Sequence, residues 1–302
     1  LYKNHFVDEF SFTCVNERIA SDMIELFDAH AHLDEEYFQS APVHLVKESE
    51  LGRFPSEVDI PKDFNNRLDI QMRGILHVGT SLKSSLAAVQ SAENSPILYA
   101  AVGIHPNAVG SALKNDWVSI SQLSENKNVV AIGETGLDKY WDTVPFESQL
   151  DAFEWHLHLA EERHLPVIIH SRECDEEMLA VLTNFSKTSQ ISGVIHSFSS
   201  TPSVAEQYLR LGLYISFSGS ITYTNRKFAA LREAAQMIPD DRLLIETDAP
   251  FLTPHPYRGK ISQNVPLMVV YVAQALADLR KTSLEEIGAI TTKNAEKLFR
   301  KS

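Results

Sequence analysis

Val129-Val130-Ala131-Ile132-Gly133-Glu134 is a short apolar run, rich in β-branched side chains, that ends on a carboxylate. A run of this kind reads as a strand buried on both faces, as in a parallel sheet covered by helices. Working outward, similar runs recur at residues 24–31, 74–79, 97–103, 166–170, 193–197, 213–216 and 243–248. Segments with helical spacing lie between and after them, near residues 82–93, 116–125, 146–163, 176–185, 204–211, 225–237 and 266–280. Regular alternation of strand and helix implies parallel strands joined by crossover helices. Eight such units, with no GxGxxG after the first strand, predict an α/β fold of the (β/α)8 TIM-barrel type and not an open doubly wound sheet.

The 302 residues are read as one barrel domain with two additions and a long connection. Residues 1–23 form an N-terminal extension. Residues 40–72, rich in charge and proline, are too long for a simple βα turn and are expected to carry a helix near 63–71 or to form part of a lid. Residues 283–299 are expected to form C-terminal helices, one short and one longer, with Ser283 and Thr291 as N-caps.

Composition removes several classes. No stretch approaches the roughly 20 apolar residues of a membrane helix, so no membrane association is expected. Cys14 and Cys174 are far apart and form no CxxC pair, which argues against a disulfide framework or a cysteine zinc site. With no basic n-region or apolar h-region within residues 1–12, the expectation is a cytoplasmic protein, read as a monomer. The net charge of -13 argues against a protein that coats nucleic acid through a basic surface. The surplus is concentrated, since residues 1–50 contribute -8 and the remainder -5.

A barrel carries its chemistry at the carboxyl ends of its strands. Those positions hold Asp28, His30 and His32 after strand one, Glu134 after strand four, His170 after strand five, His196 after strand six and Asp248 after strand eight. His30 and His32 are two apart, so both imidazoles face the same side of the strand. Glu134, at the end of an apolar run, needs a cation or a dense set of donors. One histidine beside a buried strand is ordinarily a core residue. Four on one rim, with two carboxylates, are hard to explain as packing and suffice for two divalent ions with one carboxylate bridging.

These positions fall in six ordered segments: Phe27-Asp28-Ala29-His30-Ala31-His32-Leu33-Asp34, Gly103-Ile104-His105-Pro106, Ile132-Gly133-Glu134-Thr135-Gly136-Leu137-Asp138, Pro166-Val167-Ile168-Ile169-His170-Ser171-Arg172, Gly193-Val194-Ile195-His196-Ser197-Phe198 and Ile245-Glu246-Thr247-Asp248-Ala249-Pro250-Phe251-Leu252. Together they resemble the signatures of the TatD family of metal-dependent hydrolases, over residues 24–300. The resemblance implies a TIM barrel of the amidohydrolase superfamily with two divalent metal ions, Mg, Mn or Zn. It also implies deoxyribonuclease activity of a 3'-to-5' exonuclease kind on single-stranded DNA. By motif position His30, His32 and Asp248 join Glu134 on one metal, and Glu134, His170 and His196 hold the second. The loop beyond Lys260 departs from the family pattern, reading Ile261-Ser262-Gln263-Asn264-Val265-Pro266, which bears on substrate contacts and not on the metal ligands.

The mechanism implied is attack on phosphorus by a metal-bound hydroxide, with Asp248 as proton acceptor and Glu134 as the bridge. Candidate substrate contacts are His105, Arg172, Lys139, Arg258 and Lys260, all following strand-end motifs. Tyr140, Trp141, Phe251 and Tyr257 are candidates for base stacking. The same constellation also suits hydrolysis of an amide or ester, as in a deacylase or lactonase. A non-catalytic scaffold is disfavoured, because six costly polar groups at one mouth would destabilise a barrel that held no metal.

Overall fold

The computed structural model describes residues 23–34, 70–261 and 263–299. Cys14, the N-terminal extension up to residue 22 and most of the 40–72 connection lie outside the described residues. Eight parallel strands form one sheet in sequential order: β1 (Ile24–Ala31), β2 (Ile70–Val78), β3 (Leu98–Val102), β4 (Val129–Asp138), β5 (Val167–Arg172), β6 (Gly193–Ile195), β7 (Tyr214–Phe217) and β8 (Leu243–Ile245). The ring is joined by a parallel bridge between Ala31 and Ala249. His32 N–H donates to Ala249 O at 2.7 Å, and Asp248 N–H donates to His30 O at 2.9 Å. The predicted (β/α)8 barrel is therefore the observed architecture.

Helices α1 (Leu82–Asn94), α2 (Lys114–Leu123), α3 (Phe146–Arg163), α4 (Asp175–Phe185), α5 (Pro202–Arg210), α6 (Ala229–Met237), α7 (Val269–Arg280) and α8 (Leu284–Leu298) alternate with the strands and then close the chain. Alternation along each strand divides the apolar side chains in two. Leu26, Ile75, Ile132, Val167, Ile169, Ile215 and Ile245 pack with the helices. Phe27, Leu76, Val130, Ile168, Val194, Tyr214 and Leu244 form a second cluster with Leu298 and Phe299 at the end of α8. Phe27 stacks between Tyr99 and Phe299, with ring centroids 5.6 and 5.9 Å away. Among the described residues no helix is long and apolar enough to cross a membrane.

Three expectations need correction. Ile70 and Gln71, assigned above to a helix, open β2, whose first residues alternate in burial and so lack a continuous apolar run; residues 63–69 lie outside the described ones. The C-terminal tail is a single helix. Ser283 caps it by accepting from Glu286 N–H at 3.1 Å, whereas Thr291 lies within it and donates to Ile287 O at 2.8 Å. A hydroxyl that bonds back to the preceding turn can sit inside a helix, so threonine alone does not mark a start. Finally, β4 continues past Glu134 to Asp138, with every residue buried.

Candidate active site

The carboxyl ends of the strands bring His30, His32, Glu134, His170, His196 and Asp248 together. His30, His32, Glu134 and His196 are almost fully buried. The two oxygens of Glu134 divide between two groups of imidazoles. Oε2 lies 3.4 Å from His30 Nε2 and 3.5 Å from His32 Nε2. Oε1 lies 2.9 Å from both His170 Nδ1 and His196 Nε2. Asp248 Oδ1 completes the first group, 3.8 Å from His30 Nε2 and 3.6 Å from His32 Nε2. One carboxylate thus stands between two clusters.

The far sides of the imidazoles decide what the near sides offer. His32 Nδ1–H donates to Val78 O at 2.9 Å. The ring nitrogens turned away from the centre in His170 and His196 face carboxylates, Nε2 to Asp138 Oδ2 at 3.1 Å and Nδ1 to Glu246 Oε1 at 3.2 Å. In each neutral ring the proton is held at the rear, leaving a lone pair directed at the centre. The inward nitrogens crowd one another, with 3.2 Å between His30 and His32 and 3.3 Å between His170 and His196. Converging lone pairs beside two carboxylates are unfavourable unless protons or cations lie between them. Rear hydrogen bonds that fix the tautomer are the usual support of metal-ligating histidine, so this donor set fits divalent ions.

Charge follows the same arrangement. Burial would push the Glu134 carboxyl up, but the charge of His196 and hydrogen bonds from His105 and His170 hold it well below the usual carboxylate range. Burial opposes a proton on His32, yet the hydrogen bond to Asp248 and the charges of Glu134 and Asp248 raise it to about 9. His196 is raised well above its ordinary value against the same penalty, chiefly by the charge of Glu134. Burial and the charge of His196 lower His30, which is neutral. At neutral pH the metal-free centre therefore holds protons on imidazoles whose lone pairs a metal needs. Metal loading at pH 7 is expected to release protons and to strengthen as pH rises towards 9. Calorimetric metal titrations in buffers of different ionisation enthalpy measure this, and loading without proton release would contradict it.

The remaining candidates separate. His105 Nδ1 accepts Asn107 N–H at 3.1 Å, capping a short 3-10 turn, so its proton lies on Nε2, 3.4 Å from Glu134 Oε1. Burial keeps this ring neutral. Arg172 lies over the Tyr140 ring, 3.8 Å from its centroid, and Arg258 lies over Tyr223 at 3.9 Å. Lys139 is engaged with Glu177, and Lys260 is exposed in the loop after β8. Tyr140, Trp141 and Phe251 are about half exposed. Tyr257 is instead buried and packs edge-on against Tyr271. Cys174 is buried, and burial pushes its thiol up to about 11, which fits an inert residue.

Four site residues escaped the reading of strand ends, or were read there as possible ligands. Asp138 and Glu246 fix the outer nitrogens of His170 and His196; both lie inside the quoted motifs but were not singled out. Asp28 turns away from the centre and accepts the Thr247 hydroxyl at 2.6 Å and Thr247 N–H at 2.8 Å. Burial pushes its carboxyl up to about 8. Asn264 Nδ2 donates to Thr247 O at 2.9 Å and Phe251 O at 2.7 Å, holding the turn that carries Asp248.

Comparison with known proteins gives a consistent result. A family described as TatD-related DNase matches residues 27–300. The uncharacterized metal-dependent hydrolase YabD of Bacillus subtilis is 36% identical over 275 residues, covering 91% of this chain and 99% of YabD. YcfH of Escherichia coli K12, also an uncharacterized metal-dependent hydrolase, is 34% identical over 274 residues, covering 91% and 95%. Among solved structures, YjjV, a TatD homolog from Escherichia coli K12, matches with a TM-score of 0.76 at 28% identity, covering 92% of this chain and 98% of that one.

Proposed function

This chain belongs to the TatD-related DNase family and is a metal-dependent hydrolase, and from that premise we propose that its substrate is single-stranded DNA, cleaved at phosphodiester bonds. The observation that carries the reading is the division of Glu134 between two imidazole clusters, with the outer nitrogens of His32, His170 and His196 already fixed. His30, His32, Glu134 and Asp248 are proposed to hold one divalent ion, and Glu134, His170 and His196 a second. Two such ions would polarise a phosphoryl oxygen and lower the pKa of an attacking water.

The protein's own groups do the rest. Despite burial, the hydrogen bond from His32 and the charges of His196 and His32 keep Asp248 ionised. It is the proposed acceptor for the proton of the attacking water. Its backbone has φ 55, a conformation uncommon for a residue with a side chain, and is held there by Asp28 and Asn264 through Thr247. His105 directs an N–H into the centre and is placed to orient a substrate or leaving-group oxygen. Arg172 and Arg258 supply positive charge at the rim.

The test is to incubate metal-depleted protein with end-labelled single-stranded DNA, restoring Mg, Mn or Zn separately, and to repeat it with Glu134→Ala. Metal-dependent shortening by the wild type that is lost in the variant is expected. Intact DNA alongside rapid turnover of esters or amides would instead assign the site to carbon centres.

A further inference from the structure

His156, in α3, is completely buried. Its Nδ1–H donates to Ala152 O at 2.7 Å, one turn back in the same helix. That bond leaves Nε2 as an acceptor, and it takes Ile104 N–H at 3.1 Å. Burial lowers the ring to about 4, so it is neutral and its lone pair is available at ordinary pH. The rings of Trp117 and Trp155 flank it, with centroids 5.6 and 4.9 Å away.

The acceptor matters because of what Ile104 adjoins. Strand β3 ends at Val102, and the next three residues carry the chain to His105. Gly103 N–H donates to Ser85 Oγ at 3.2 Å, Ile104 N–H to His156, and His105 N–H to Thr80 O at 2.9 Å. Two side chains from the helix layer, Ser85 of α1 and His156 of α3, thus do here what a strand ladder does elsewhere. An apolar side chain beside the two tryptophans would fill the space but leave the buried Ile104 without an acceptor for its N–H.

From this turn His105 reaches the centre. Its Nδ1 accepts Asn107 N–H, so the proton lies on Nε2, 3.4 Å from Glu134 Oε1. Asn107 Nδ2 in turn donates to Asp138 Oδ2 at 3.0 Å, the oxygen that meets His170 Nε2. Neighbouring residues fix which nitrogen of His105 carries the proton, and the backbone of residues 103–105 fixes where that nitrogen stands.

We propose that His156 is a positioning residue for hydrolysis: by accepting Ile104 N–H it holds the turn from which His105 presents its Nε2–H to the reacting oxygen. This rests on the role proposed above for His105 and extends it from the mouth into the helix layer. Misplacing such a group by about 1 Å can cost as much as a hundredfold in rate.

The test compares His156→Leu and His156→Phe, which cannot accept from Ile104 N–H, with His156→Gln, whose amide oxygen can. Each protein is loaded with the ion that supports wild-type turnover, its bound metal is counted by atomic emission, and shortening of end-labelled single-stranded DNA is followed well below the melting temperature. His156→Leu and His156→Phe are expected to lower kcat per bound metal roughly tenfold with KM nearly unchanged, while His156→Gln keeps most of the wild-type rate. In a His105→Ala background the same substitutions should cost less than about a further twofold, since they act through a ring that is no longer there. Amide hydrogen exchange across residues 103–107, which does not depend on turnover, should quicken in His156→Leu and His156→Phe and stay slow in His156→Gln. Wild-type kcat in His156→Leu and His156→Phe, a His156→Gln as slow as they are, or a loss equally large in the His105→Ala background overturns the proposal. A wild type that leaves DNA intact but hydrolyses esters overturns the nuclease reading alone, and the same comparisons are then read on the ester. A wild type that hydrolyses neither overturns both.

Discussion

Glu134→Gln is expected to lower hydrolysis by roughly a thousandfold or more, the scale of losing a group that organises charge in a dry site. The substitution keeps the shape of the side chain and removes the charge between the two clusters. Each oxygen of Glu134 faces a different pair of imidazoles, so its loss affects both proposed ion positions. Metal content measured by atomic emission should fall together with activity. Asp138→Asn, which meets the outer nitrogen of His170 and stands behind the centre, should cost ten- to a hundredfold. Equal activity of Glu134→Gln and wild type at full metal occupancy would overturn the bridging role proposed for Glu134.

Gly136→Ala is expected to have the largest effect on stability. Gly136 adopts φ 140, a region that residues with a side chain rarely enter, and a Cβ there would collide with the carbonyl oxygen of His170 on the neighbouring strand. That obstacle is backbone within the β4–β5 ladder, where Gly136 is registered with His170, so it cannot turn aside as a flexible side chain would. Strain of this kind, added to a displaced strand, is expected to cost about 3–5 kcal/mol. For a chain of this size that lowers the melting temperature by on the order of 10 °C. Calorimetry of the metal-depleted variant against metal-depleted wild type measures it directly, and a loss below about 1 kcal/mol would show that the strand has room after all.

The architecture was legible because a strand covered on both sides must be apolar along its whole length. The runs at 97–103 and 129–134 stand out for that reason, and the amphipathic stretch at 146–163 coincides with α3. Strand ends were less legible where the chain serves the site. Residues 135–138 fall outside the apolar run because of their glycine and carboxylate, yet they extend β4, and its surroundings supply the partners that an isolated sequence lacks. Conversely, β6 and β8 stop at Ile195 and Ile245, so His196 and Asp248 sit just beyond regular pairing. The six expected ligands converge as their strand-end positions implied. The groups that hold them in place were hidden, because a second carboxylate matters only once the fold shows which ring nitrogen it meets.

The seam between the two ends of the barrel also bears on how the protein matures. His30 and His32 are synthesised well before Asp248, and backbone hydrogen bonds across that seam set them against one another. A nascent or truncated chain that stops before β8 has several of the histidines but lacks the carboxylate and the strand that close the set. Hydrolytic competence therefore arrives with the last turn of the barrel, when Asp248 is set against His30 and His32.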